Sequence, residues 1–184
     1  AVTFDWSGLS TEQRNLFGAT DPARQEVINH LRGDPSREVR NGGPLRNRPT
    51  TVLGDIIHSS PVFVADINTV FVGSNSGFLH AFNARTGVER FAFAPSSLLA
   101  HMPRLSDPNY VRRYFVDGEL AVSQRASTGG RNILVGFLGR GGRGLFALDV
   151  TDPANFGATG NASRALWEAY GASDADMGYL LGRP

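Results

Sequence analysis

Cysteine and lysine are both absent from these 184 residues, and methionine and tryptophan occur only twice each. Without cysteine there is no disulfide staple, no thiolate metal site and no cysteine nucleophile. That absence is compatible with an oxidising compartment. All 18 basic side chains are arginine, a usage that fits codon bias in a GC-rich genome, and they are scattered rather than clustered. With a formal net charge of +1, the chain lacks the basic stripe of a nucleic-acid or anionic-membrane binder. No run approaches the roughly 20 apolar residues of a membrane helix, and no basic-then-apolar stretch opens the chain as a signal peptide would. The chain begins at Ala1 and stops at Pro184, just after a strand-like Met177–Gly182. Both ends therefore read as cuts through a longer polypeptide.

What is present is 41% hydrophobic, enough to bury a core of about one domain. The first third reads as helical. Ser10-Thr-Glu-Gln13 matches a capping box, in which the Ser10 hydroxyl and the Gln13 side chain satisfy free amide donors. Asp21-Pro22 starts a second helix, with Ala23, Val27, Ile28 and Leu31 on one face, and Gly33-Asp-Pro35 stops it. Ser36 to Pro49 is polar and rich in Arg, Asn and Gly, which predicts a loop or linker.

From Thr50 the pattern changes to short strands punctuated by turn residues. Strands are predicted at Pro61–Ala65, Val70–Ser74, Phe78–Phe82 and Glu89–Phe93, with turns at Asn75-Ser-Gly77 and Asn83–Gly87. The unit then repeats: Asn132–Gly136 resembles Val70–Gly73, Leu145–Asp149 resembles Leu79–Asn83, and Leu166–Ala169 resembles Arg90–Phe93. Propeller repeats run at about 40–50 residues. The larger offset from Leu79 to Leu145 therefore requires an insertion, read as Pro95 to Pro108 with a short helix around Ser96–His101. A polar loop at 152–163 separates the last two strands of the second unit. Four short strands cannot bury their own faces, and propellers supply neighbours by radial repetition.

Several patterns invite sharper readings. Gly139-Arg-Gly-Gly-Arg-Gly144 satisfies G-x-G-x-x-G, but phosphate binding needs a helix next, and Leu145–Val150 alternates as a strand. A hairpin turn is the better reading. Asp55, His58 and Ser59 are residue types of a hydrolase triad, yet on one predicted strand they cannot converge, and no G-x-S-x-G elbow occurs. Their expected role is to tie one blade to its neighbour. His30, His58, His80 and His101 show no i, i+4 pairing, so zinc is unsupported, and His80 reads as a core or interface histidine. Asn161-Ala-Ser163 is a glycosylation sequon by pattern alone, and Asp149–Pro153 reads as a turn held by Asp and Thr side chains. Phe71, Phe78, Phe82, Phe91, Phe93, Phe146 and Trp167 are expected to pack between blades.

Val72 to Gly87, running through a strand, a small-residue turn, Leu79-His-Ala-Phe-Asn83 and Thr86-Gly87, resembles the quinoprotein-type propeller repeat. The surroundings narrow the resemblance. Leu53-Gly-Asp-Ile-Ile-His-Ser-Ser-Pro61 resembles the opening strand of the PilY1 family of type IV pilus biogenesis proteins. Leu31–Asp34, Pro108–Tyr110, Tyr114–Gly118, Leu138–Pro153 and Asp176–Tyr179 follow in that family's order and extend the match from about Ser10 to Pro184.

The resemblance implies a modified propeller at the C-terminal end of a large exported protein. Such proteins prime or stabilise pili, sit at the pilus tip and mediate adhesion. The implied partners are pilin-like subunits, other tip proteins and host or abiotic surfaces, with no nucleic acid and no direct membrane insertion. The implied location is the periplasm, the outer-membrane surface or the pilus tip. Family members that bind calcium use an Asp-rich loop in a later blade. Asp174 and Asp176 lack its spacing and its glycine, so calcium in a full-length protein is expected beyond Pro184.

The expected architecture is thus a mostly β fragment of a seven-bladed, modified propeller with a helical start. Its parts are a helical segment and linker (1–49), a first blade (50–94), an insertion (95–113), a second blade (114–170) and the start of a third (171–184). No catalytic, cofactor-binding or metal-binding residue is assigned in this segment. The expected function is a non-enzymatic pilus module whose contact regions are 10–33, 95–109 and 152–163. A dehydrogenase using pyrroloquinoline quinone and calcium is the alternative, weakened by the missing adjacent cysteine pair and the absence of a Glu, Asn and Asp ligand cluster. An envelope assembly scaffold is the third reading.

Overall fold

In the computed structural model, which describes residues 2–152 and 164–184, two helices precede two four-stranded antiparallel sheets. Helix α1 spans Thr11–Asn15 and opens on the capping box: Gln13 N–H donates to Ser10 Oγ at 3.2 Å, and Ser10 N–H donates to Gln13 Oε1 at 3.0 Å. Helix α2 spans Asp21–Leu31. Ile28 is fully buried, Val27 and Leu31 are partly buried, and Ala23 is exposed. The face also buries His30, which apolar periodicity does not mark. Gly33, at φ +110°, turns the chain away at the end of the helix.

The stretch from Ser36 to Pro49, expected as a linker, folds back on itself. Glu38 is wholly buried and accepts from Arg48 Nε at 2.9 Å and Arg40 Nε at 2.8 Å. Arg48 also donates to the carbonyls of His30 and Asp34, so one guanidinium closes the loop onto the end of α2. Burial alone would raise the Glu38 carboxyl, but the hydrogen bonds and charge of Arg48 hold it below the ordinary carboxylate range.

The first sheet runs β1 (Val62–Val64), β2 (Thr69–Gly73), β3 (Leu79–Asn83) and β4 (Glu89–Phe93) in sequential order. The second runs β5 (Leu120–Val122), β6 (Ile133–Phe137), β7 (Gly144–Asp149) and β8 (Ala165–Tyr170). The repeat read from sequence holds in detail. The register shifts at Ala81/Phe82 in one sheet and at Ala147/Leu148 in the other, which are matched positions. The turn that leaves the third strand is also matched: Asn83 Oδ1 accepts from Arg85 N–H at 2.9 Å, and Asp149 Oδ1 accepts from Thr151 N–H at 3.0 Å.

One buried cluster runs through α2, both sheets and the insertion, from Leu9, Phe17 and Ile28 to Leu148 and Val150. Each buried Leu or Phe side chain contributes about 1.5–3 kcal/mol. Between the sheets, the Phe93 and Phe146 rings meet at 5.3 Å. Ser96 donates from its backbone N–H and its hydroxyl to Glu168 Oε2 at 2.7 and 2.9 Å, tying the end of the first sheet to β8. Trp167, expected between blades, lies opposite Ala147 on the outermost strand of the second sheet and is 48% exposed.

Two expectations change. The Ser96–His101 helix is replaced by two 3-10 turns, Ser96–Leu98 and Met102–Ser106; Pro103 has no amide hydrogen to sustain an α-helix. Leu98, Leu99, Met102 and Leu105 bury this insertion in the core. Residues 53–60 form no strand, because they cross the β2–β3 turn instead of lying beside a strand; Asn75 N–H donates to the Asp55 carbonyl at 2.9 Å. Residues 171–184, the expected start of a third blade, are turns and irregular chain, and no strand among the described residues pairs with them. The loop expected at 152–163 lies outside the described residues beyond Asp152.

Candidate functional site: a cleft beside the first sheet

The residues that resemble a catalytic triad each take a different partner. Asp55 Oδ2 pairs with Arg112 Nε at 2.6 Å, and His58 Nδ1 lies 2.6 Å from Asp117 Oδ2. Ser59 Oγ accepts from Gly73 N–H at 2.9 Å. The His58 and Asp117 contact joins the approach to β1 with the approach to β5, which is the inter-blade tie expected from sequence. His80 is buried between Glu89, 2.6 Å from Nδ1, and Ser76, 2.9 Å from Nε2, with its ring stacked on Phe82. That is a satisfied core histidine.

Gly139–Gly144 is a turn into β7, with no helix after it. Its glycines serve packing: a Cβ at Gly141 would fall 1.6 Å from the Phe115 carbonyl oxygen, and Gly139 sits at φ +58°. Among the described residues, no three His, Asp or Glu side chains are grouped to hold a metal ion. Among the same residues, no helix is long and apolar enough to cross a membrane.

Two of the regions singled out from sequence, the helical segment and the insertion, meet at a cavity of about 300 Å³. It is lined by His30 and Leu31 of α2, by 46–55, by Asn75 of the β2–β3 turn, and by Tyr110 and Arg112 after the insertion's second turn. Each wall has a local cause. His30 Nε2 lies 3.0 Å from the Arg46 carbonyl and Nδ1 lies 2.9 Å from Ser106 Oγ, while Arg46 N–H donates to the Ser106 carbonyl at 2.9 Å. These bonds clamp α2, the loop and the insertion together. Gly54 lets the 50–55 strap lie on the β2–β3 turn, since a Cβ there would be 2.2 Å from Ser76 N.

The charges of the walls are unequally matched. Arg48 is held by Glu38, and Arg112 by Asp55 and the Tyr114 ring. The hydrogen bonds of Arg112 to Tyr114 and Asp55 raise its pKa. Arg46 lies over the Tyr110 ring at 4.2 Å, and its buried Nε has no hydrogen-bond partner among the described residues. Burial, with the charge of Arg48 nearby, pushes its guanidinium down from its ordinary pKa. Sequence reasoning passed over Arg46 and Asn75. Arg46 lies in a polar stretch with no motif, and only the tertiary fold brings it to Tyr110.

Comparison with known proteins agrees with this architecture. The family model described as the PilY1 beta-propeller domain matches residues 62–181. A type IV pilus biogenesis factor PilY1 homolog of Xylella fastidiosa is 39% identical over 88% of this chain and 15% of its own length. The type IV pilus biogenesis factor PilY1 of Pseudomonas aeruginosa strain UCBPP-PA14 is 34% identical over 98% of this chain and 18% of its own. The crystal structure of the Pseudomonas aeruginosa PilY1 C-terminal domain is 38% identical, covering 63% of this chain and 21% of that one, with a TM-score of 0.43. The chain thus spans less than a fifth of the length of the curated relatives it matches. With two matched four-stranded sheets and these relatives, the chain belongs to the PilY1 family of type IV pilus biogenesis factors and carries part of its β-propeller domain.

Proposed function

We propose that the chain serves type IV pilus biogenesis as a non-catalytic docking module. It acts from an exported position, holding a pilin-like subunit or another pilus-tip protein through the loops that its two sheets support. The cleft carries this reading. It is assembled from three separate stretches on a rigid sheet, and one of its cations has no acidic partner among the described residues. Binding groups concentrate on loops that a scaffold holds in place, and 46–55 with 107–113 are such loops. The relatives' role as pilus biogenesis factors supports the same direction.

In producing cells, Tyr110→Ala and Val52→Asp are expected to lower the number of surface pili several-fold. Val52 is 55% exposed, so the second change needs no repacking. For Val52→Asp the amount of exported protein and its thermal melting curve should match those of the unaltered protein, whereas Tyr110 packs against the core and its variant is compared at equal exported amount. Normal piliation with both variants present at the unaltered level would sink the docking role.

A further inference from the structure

Two buried side-chain donors on residues that line the cleft find no acceptor among the described residues. Asn75 is 3% exposed and lines the cleft. Its Oδ1 accepts from Phe115 N–H at 2.8 Å, and its buried Nδ2 finds no acceptor among the described residues. Arg46 Nε is likewise buried and unsatisfied. Leaving such a donor unsatisfied costs about 1–3 kcal/mol, and more where it is charged. Both unsatisfied groups are donors, and one belongs to a cation with no acidic partner among the described residues, while Arg112 pairs with Asp55 and Arg48 shares Glu38 with Arg40. The complement is a group with acceptor atoms and negative charge. Beside these donors the walls are apolar, with Leu31, Val52, Leu53 and Leu105.

We infer that the cleft receives a carboxylate-bearing peptide segment of a partner protein, gripped by Arg46 with Asn75 as the second donor. The flat guanidinium fork matches the two oxygens of a carboxylate, and Tyr110 beneath it holds the fork in orientation. The apolar walls suit the residues flanking the acid. This inference rests on the docking role proposed above and adds the chemistry of the docked segment.

The test titrates the 184-residue chain with N-acetyl-Leu-Glu-Leu-amide while following the side-chain N–H signals of Arg46 and Asn75 by NMR. Both signals should shift saturably. The same peptide with Gln in place of Glu should bind about 10- to 100-fold more weakly, the loss expected for one charged hydrogen-bonded contact. N-acetyl-Leu-Leu with a free C-terminal carboxylate is compared with its amide, and binding by the free acid alone would assign the carboxylate to a chain end. Arg46→Met should abolish the response and Arg46→Lys should retain part of it, with unchanged backbone spectra showing that both variants fold.

Equal shifts with the Glu and Gln peptides, or saturation by inorganic phosphate at lower concentration than by the Glu peptide, would overturn the inference. No response to any carboxylate peptide, with pili still lost in Tyr110→Ala, would overturn the carboxylate and leave the docking role standing. A specific Glu response with normal pili in the cleft variants would overturn the docking role alone.

Discussion

His30 is held by two hydrogen bonds that settle its protonation. The Arg46 carbonyl can only accept, so Nε2 carries the ring proton, and Nδ1 then accepts from the Ser106 hydroxyl. Burial, reinforced by the charge of Arg48, lowers its pKa from the ordinary 6.5. The unfolded chain therefore takes up the proton first as the pH falls. The stability contributed by neutral His30 is complete above pH 6.5, and it is lost as the pH drops from 6.5 toward the lowered folded value. Urea midpoints measured from about pH 7 to pH 5 should fall, and His30→Gln should flatten that slope. His101 is lowered too and adds a slope of the same sign, so the quantity to compare is the slope with and without His30. Identical slopes would remove His30 from the acid response. Glu38 acts in a lower window: its depressed carboxyl stabilises the fold above its ordinary 4.5, and that contribution is lost only as the pH falls below it.

Among the elements, β6 and β7 show how a glycine sets the packing of a sheet. Gly136 stands opposite Phe146, and a Cβ there would meet the Phe146 ring at 2.4 Å and the Leu120 side chain at 2.9 Å. The Phe93 ring of the first sheet, 5.3 Å away, limits how far Phe146 can shift. Gly136→Ala is therefore expected to cost about 1–3 kcal/mol by overpacking. Gly178→Ala, where nothing lies within 4 Å, serves as the control and should stay within about 0.5 kcal/mol. Chemical denaturation of both variants checks this, and equal midpoints would contradict the packing argument. The glycine-rich turn before β7 was legible in the sequence because the strand after it alternates. The 3-10 turns of the insertion were not, since apolar spacing alone does not separate them from a short α-helix. The irregular path of 53–60 was hidden because its partners are a turn and the approach to β5, neither adjacent to it in sequence.

At the scale of the molecule, the helical segment, the insertion and both sheets share one buried cluster. Polar contacts cross the blade junction: His58 to the buried Asp117, and Arg125 to Asp66. The second joins two partly exposed groups and sets geometry more than stability. A shared core predicts a single cooperative transition. The two tryptophans report from opposite parts, Trp6 beside Arg14 in the helical segment and Trp167 on β8. In the single-tryptophan variants Trp6→Phe and Trp167→Phe, fluorescence should give the same urea midpoint. Two separated midpoints would mean that the segments fold independently and that the cleft between α2 and the first sheet can open on its own.

Local interactions were determined by the sequence itself. The Ser10 and Gln13 box, the Asn83 and Asp149 turns and the strand alternation join residues a few positions apart, where spacing alone dictates which groups can meet. The ordered motifs were also enough to reach the PilY1 family. What only the tertiary structure decided are pairings across long stretches: His58 with Asp117, His30 with Ser106, and Arg46 over Tyr110. Such partners are chosen by how the sheets and α2 pack around one core, a non-local choice that leaves no period or spacing to read along the chain. The unsatisfied donors of Arg46 and Asn75 belong to this second class, so the cleft becomes visible only once the chain is folded.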